Sequence, residues 1–256
     1  MSRSDSGGNA GGGTPGLGIP SPEAVLGTVP TDRSVRVSLA AAARSRGRTA
    51  SLASEIAQLR EEIASITVPT VDLQSARRQL ADATGEEGRL KERVATIRGD
   101  VRARRAVDAD TAASIAELQD AAAALSVAQT DRIAAEQGLE QARRRAKQAR
   151  DERERRLRLT DRLRNRRRDA RTELANSIYP AFREALPAVP EGDLATPGRD
   201  ASEYEGSRVA ASLAAVRIAS IDGPVSLSPA VVSAFESWDG PPAERVLGVR
   251  TTRPEL

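Results

Sequence analysis

The chain has 256 residues, 2% of them aromatic and 29% charged, with a formal net charge of +3 and neither cysteine nor histidine. Those absences exclude disulfides, thiolate nucleophiles, zinc sites of the Cys/His type, His-ligated haem and His-based acid–base catalysis, leaving carboxylate chemistry open. All five aromatics (Tyr179, Phe182, Tyr204, Phe235 and Trp238) fall in the last third, so any compact core is expected there and the rest must be held by narrow aliphatic seams.

No apolar run approaches the ~18 residues that span a bilayer, and the N-terminus lacks the basic-then-apolar layout of a signal peptide. A cytoplasmic protein without a membrane partner is expected. Residues 1–30 are rich in glycine and proline, from Gly7 to Pro30. They offer too little apolar surface to offset the entropy of ordering, and read as a disordered tail with a short ordered stretch at Ala24–Thr28. No GxxxxGK[ST] pattern occurs, so these glycines are not a phosphate loop, and no cofactor is expected.

Residues 31–47 read as a short helix, capped by Thr31 or Asp32 and stopped by Gly47. From about Ser51, Leu52, Ile56, Leu59, Ile63 and Ile66 are spaced 4, 3, 4, 3, a heptad seam. Pro69 interrupts it and Asp72 restarts the helix. The pattern continues through Leu73, Ala76, Leu80, Ala83, Leu90, Val94, Ile97 and Val101, with Glu87 as a polar intruder. A second set runs through Ile115, Leu118, Ala122, Leu125, Leu139, Ala142, Ala146 and Ala149.

One unbroken helix of this length would exceed ~150 Å at 1.5 Å per residue. A turn near 106–111, with Asp108 or Asp110 as cap, places Val101 near Ile115, Val94 near Ala122, and Leu52 near Leu163. Residues 48–179 are therefore expected to form a coiled-coil helical hairpin. The alternative is a straight helix dimerising in parallel through the same seam. Pro180 is expected to end or bend the second arm. Residues 180–206 read as a loop and 207–250 as a small α/β segment: a helix at Ser207–Ile218, a strand at Pro224–Leu227, a helix at Pro229–Trp238 and a strand at Arg245–Val249. Residues 251–256 read as a tail. The fold class is thus mainly α, a long antiparallel coiled-coil hairpin with a small C-terminal α/β cap.

Of the 39 basic residues only Lys91 and Lys147 are lysine, and fifteen basic residues against five acidic lie between Arg143 and Arg171. Extending the seam from Ala142 puts Arg153, Arg156 and Arg167 at positions that should be apolar. Arg143, Arg144, Arg145, Arg162, Arg164, Arg166, Arg167 and Arg168 are the candidate contacts to nucleic acid or an acidic partner. The competing account is a solvated helix whose arginines pair with nearby acids, including Glu55, Glu61 and Glu62 of the opposing arm. No aromatics interleave, so single-strand stacking is not expected.

Ser34–Gly47, the stretch Val68-Pro-Thr-Val-Asp-Leu73, Asp131–Arg145 and Arg208–Leu227 together resemble an uncharacterised coiled-coil family of halophilic archaea. The likeness covers roughly residues 24–250. It implies the same domain layout and a cytoplasmic home, without an assigned activity; it also implies an ordered N-terminal segment where this chain has its glycine-rich tail. More faintly, Glu205–Pro229 is similar to the order of elements in SMC-type ATPases, where a helix leads to a strand ending in paired acids. Ser228 and Pro229 stand at those positions here, so this resemblance implies a form that has lost ATP hydrolysis. The expected function is a non-enzymatic structural or adaptor protein acting through helices on a protein partner or a second copy. The alternatives are a nucleic-acid-associated protein using the arginine stretch, and a degenerate SMC-like accessory factor.

Overall fold

The computed structural model describes residues 20–253. The protein is mainly helical, and its elements run α1 (Pro22–Leu26), β1 (Thr28–Val29), α2 (Val35–Ser45), α3 (Ala53–Ser65), α4 (Leu73–Ala106), α5 (Ala112–Ala185), α6 (Arg208–Arg217), β2 (Val225–Leu227), α7 (Pro229–Glu236), α8 (Ala243–Leu247) and β3 (Thr251–Thr252). A 3-10 turn, Leu186–Ala188, follows α5. The described residues divide into two compact units. One holds those up to Ile63 and from Thr160 onward, and the other holds Ala64–Leu159.

The first unit contains all five aromatics and the main core. Helix α2 is alanine-rich and buried on every side, with Leu39 and Ala40–Ala43 at 1% exposure or less. It packs on α1 and α6, and α6 is itself buried from Ala210 to Val216. Four alanines in succession let neighbouring backbones approach closely, and larger side chains such as Phe182, Leu186 and Leu213 fill the remaining space. Thr31 joins the two helices through buried polar contacts: its N–H donates to Ser212 Oγ (3.0 Å), and its hydroxyl lies 3.1 Å from Ser38 Oγ. That satisfies groups whose burial would otherwise cost stability.

Beside these helices lies a parallel three-stranded sheet in the order β1-β2-β3. Ser226 and Ser228 donate backbone N–H groups to Gly27 and Val29 (both 2.9 Å), and Val225 donates to Arg250 (2.9 Å). Helix α3 lies along the last third of α5, where Ser51 gives both its N–H and its hydroxyl to the Glu173 carboxylate (2.9 and 2.8 Å).

The second unit is a helix pair. Asp72 starts α4 by accepting the N–H groups of Gln74 and Ser75 (both 2.9 Å). The connection is short: Asp108 adopts φ +53°, a conformation that Asp tolerates better than most residues, and Asp110 Oδ1 accepts the N–H of Ala112 (2.9 Å). The helices run antiparallel, since contacts recede from the turn together: Asp100 with Ser114, Arg93 with Glu117, Glu87 with Arg132. Val94, Ile97, Val101 and Ala121 form a buried cluster, flanked by Ile115, Leu118 and Leu125.

Four expectations are corrected. Residues 20–30 are not tail: Pro22–Leu26 is a helix and Thr28–Val29 an edge strand, with Val25, Leu26 and Val29 in the core. The rest of that expectation, residues 1–19, lies outside the described residues. Pro180 does not end α5, which continues to Ala185 because Tyr179, Phe182 and Ala185 anchor its last turns in the core. Arg245–Val249 is not a strand. Pro242 precedes α8, Glu244 sits in its first turn, and Gly248 closes it at φ +71°, which are helix start and stop signals; the strand comes later, at Thr251–Thr252. Finally Ala121, not Ala122, is buried against α4.

Candidate functional site

Between Arg143 and Arg171 the arginines divide by partner. Glu55 on α3 accepts from two of them, Arg162 (2.6 Å) and Arg166 (3.1 Å). The hydrogen bond from Arg162 does most to hold the Glu55 carboxyl below its ordinary range, against the opposing effect of burial. Arg166 also reaches Asp169 (3.5 Å), Arg164 pairs with Asp161 (3.1 Å), and Arg168 donates to Asn165 (3.3 Å). Arg167 is half-buried, and burial, then Arg60 and Arg171, press its pKa downward.

Nearer the middle of α5, Arg144 pairs with Glu140 (3.2 Å), while Arg143, Arg145, Lys147 and Arg150 are exposed. Arg153 and Arg156 do not occupy a buried seam. Both are exposed, and the buried line passes from Ala149 to Leu163. The eight candidate arginines divide between the two units: Arg143, Arg144 and Arg145 belong to the second, and Arg162, Arg164, Arg166, Arg167 and Arg168 to the first. Arg162 and Arg166 serve as struts between helices; Arg143, Arg144 and Arg145 project to solvent.

Two features lay beyond the reading of sequence. The first is a polar layer inside the helix pair. Glu87 is 6% exposed, and its two carboxylate oxygens bind Lys91 Nζ (2.7 Å) and Arg132 Nε (2.6 Å). Arg132 turns in the other direction to Glu136. The Lys91 hydrogen bond is the main cause holding the Glu87 carboxyl below its ordinary range; desolvation opposes it and Arg132 reinforces it. A polar contact of this kind admits one register, because a shift of either helix strands a buried charge.

The second is a line on the outer side of α4 whose residues are small except for Glu92. The inward line is Glu87, Val94, Ile97 and Val101, buried, with Ala83 and Leu90 half-buried between and beside them. Stepping back two residues from each gives Ala81, Gly85, Gly88, Glu92, Ala95 and Gly99, which at ~100° per residue lies about 200° round the helix. All six are exposed, and the three glycines have open space where a Cβ would stand. On α5, whose buried and half-buried line runs through Ala121, Leu125, Ala128, Arg132, Ala135 and Leu139, stepping forward two residues gives Ala123, Val127, Thr130, Ala134, Gln137 and Gln141. These are exposed and uncharged, with Val127 at 62%. The α5 stripe thus carries no charge over six successive outward positions. Its signal is in the sequence, at the heptad spacing of the seam but displaced from it.

Among the described residues no group of His, Cys, Asp and Glu is placed to hold a metal ion, and no helix is long and apolar enough to cross a membrane. Ser228 and Pro229, where the ATPase likeness would need acids, begin α7, with Ser228 Oγ accepting from Val231 N–H (3.4 Å). What the fold defines is a class: a mainly helical protein that carries a long helix pair and a small core of α-helices on a parallel three-stranded sheet. The chain belongs to a family of unknown function, DUF7856, whose model matches residues 18–249. Comparisons with the curated proteins and with the solved structures each returned no significant match.

Proposed function

We propose that this is a non-enzymatic adaptor whose α4–α5 pair is an antiparallel coiled-coil arm that docks another helix, a second copy of the chain being the first partner to test. The observation that carries this reading is the outer line of α4. A glycine inside a helix costs ~0.5–1 kcal/mol relative to alanine, and nothing within 4 Å of Gly85, Gly88 or Gly99 requires one. Small residues at heptad spacing let a second helix approach closely, and the uncharged stripe on α5 adds a face that can be desolvated cheaply.

Sedimentation equilibrium of the full chain tests it. The expected result is a concentration-dependent dimer, lost when Gly88 and Gly99 are both replaced by leucine while far-UV circular dichroism keeps its helical signal. A monomeric mass at every accessible concentration, or a dimer indifferent to both leucines, contradicts self-docking through this face.

A second reading draws on the exposed run Arg143, Arg144, Arg145, Lys147 and Arg150, which provides cationic density for phosphate contacts without sequence preference. Duplex DNA affinity at low salt should then fall linearly with salt on logarithmic axes, and should weaken when Arg143, Arg144 and Arg145 become glutamine. Substituting Arg162 and Arg166 would instead disturb the contact with Glu55. No binding at low salt removes this reading.

A further inference from the structure

A cavity of about 290 Å³ opens among α2, α3 and the last third of α5, all within the first unit, with Pro20 at its edge. Its floor is aliphatic, including Val37, Ile56 and Leu174. Four arginines, Arg33, Arg44, Arg167 and Arg171, are also among its lining residues, and no carboxylate residue is among the described residues that line it.

Two of these arginines are oriented by backbone oxygens. Arg44 donates from Nη1 to the Pro20 carbonyl (2.8 Å) and from Nε to the Ala40 carbonyl (3.3 Å); Arg171 donates from Nε to the Arg167 carbonyl (3.1 Å). Contacts of that kind fix a guanidinium in place without neutralising it. Arg33 pairs with Asp32 (2.9 Å), outside the lining. Burial lowers the pKa of Arg44, with Glu23 in partial opposition, and burial together with Arg60 and Arg171 lowers that of Arg167. Burial penalises the charged form of both side chains, and at Arg167 the neighbouring Arg60 and Arg171 add a repulsion that an anion would relieve.

We infer that this cavity is a binding site for a small amphiphilic anion: an oxyanion head held by the arginines and a short apolar body on the aliphatic floor. Guanidinium groups suit the task, since their planar forks match carboxylate and phosphate oxygens. The volume lies at the lower edge of ordinary ligand pockets, ~300–1,000 Å³. That size fits a short chain or a single ring and excludes a nucleotide or a full-length lipid. A carboxylate and a phosphate monoester share the required chemistry. The site uses no residue of the second unit, so it stands or falls independently of the docking reading.

Titration calorimetry on the full chain separates the outcomes, with octanoate and octyl phosphate as the two anionic probes and octanol and acetate as controls. Saturable one-to-one binding is expected for at least one anionic probe, at least tenfold tighter than for either control; the better of the two identifies the head group. Arg171→Gln, at an exposed position, should weaken it by about tenfold, the loss expected for one charged hydrogen bond, and Ile56→Asn should weaken it further by making the floor polar. Circular dichroism on both variants checks that the helices persist. Octanol binding as tightly as octanoate, acetate binding as tightly as both, or an Arg171→Gln variant with unchanged affinity overturns the inference, as does no saturable binding of either anionic probe.

Discussion

Glu87 is the one buried acid among the described residues, and its position decides what it does. Held between Lys91 and Arg132, its folded-state pKa lies below the ordinary carboxylate value. A depressed pKa contributes stability that is complete above the unfolded-state value, ~4.3 for glutamate, and is lost as pH falls through the folded value. The helix pair should therefore lose stability on acidification below about pH 4. Glu87→Gln should lower the melting temperature at pH 7, with the difference between the two proteins shrinking as acidification protonates the native carboxyl. A gap that persists undiminished throughout the acid titration would mean that Glu87 acts by shape rather than by charge. Glu87 was visible in the sequence as a polar residue in a seam. Arg132 was not, because heptad spacing locates a residue on a face without saying which charge arrives opposite it. Only the pairing of α4 with α5 supplies that.

At the scale of elements, the long helices were legible because their aliphatic spacing is regular and their starts are marked. Asp72 caps α4, and Asp110 closes the approach to α5. What the spacing could not show were elements whose existence depends on distant chain. β1 is two residues long and is held by hydrogen bonds to a strand nearly two hundred positions later; no local pattern announces it. Pro180 misled for the same reason, since a proline's local cost of ~3 kcal/mol or more was outweighed by burying Tyr179 and Phe182. The outer glycines of α4 permit an argument in the opposite direction, from local cost to purpose. If Gly88 serves only as a spacer on a solvated face, Gly88→Ala should raise the stability of the helix pair by ~0.5–1 kcal/mol and change nothing else. If the face receives a helix, the same alanine should leave the dimer nearly intact, since it adds one methyl, whereas leucine at Gly88 and Gly99 should abolish it. Urea unfolding at low protein concentration measures the first effect and sedimentation the second. Both readings agree on the sign of the alanine effect and divide at leucine.

At the scale of the whole molecule, the two units are built on different physical terms. The first buries Phe182, Tyr179 and a broad set of aliphatics in a core several elements deep, and it holds Trp238 beside Phe235 at a ring distance of 6.0 Å. The second has no aromatic residue, and much of its seam is alanine, with Val94, Ile97, Val101 and Leu139 its buried large side chains. Apolar burial contributes ~25 cal/mol per Å², so a narrow seam of small side chains gains less per ordered residue than a core does. The second unit should therefore open first. Trp238 is the sole tryptophan and lies in the first unit, whereas far-UV circular dichroism sums the helices of both. The two probes should accordingly disagree during urea unfolding, with the circular dichroism signal beginning to fall at a denaturant concentration where Trp238 emission is unchanged. Coincident transitions are the signature of a single cooperative system, and superimposable curves would show that the continuous helix α5 couples the units strongly enough to override the difference in their cores. In that case Glu87→Gln, a substitution in the second unit, should displace the Trp238 transition as well. If the units are energetically separate, it should displace only the early part of the circular dichroism curve.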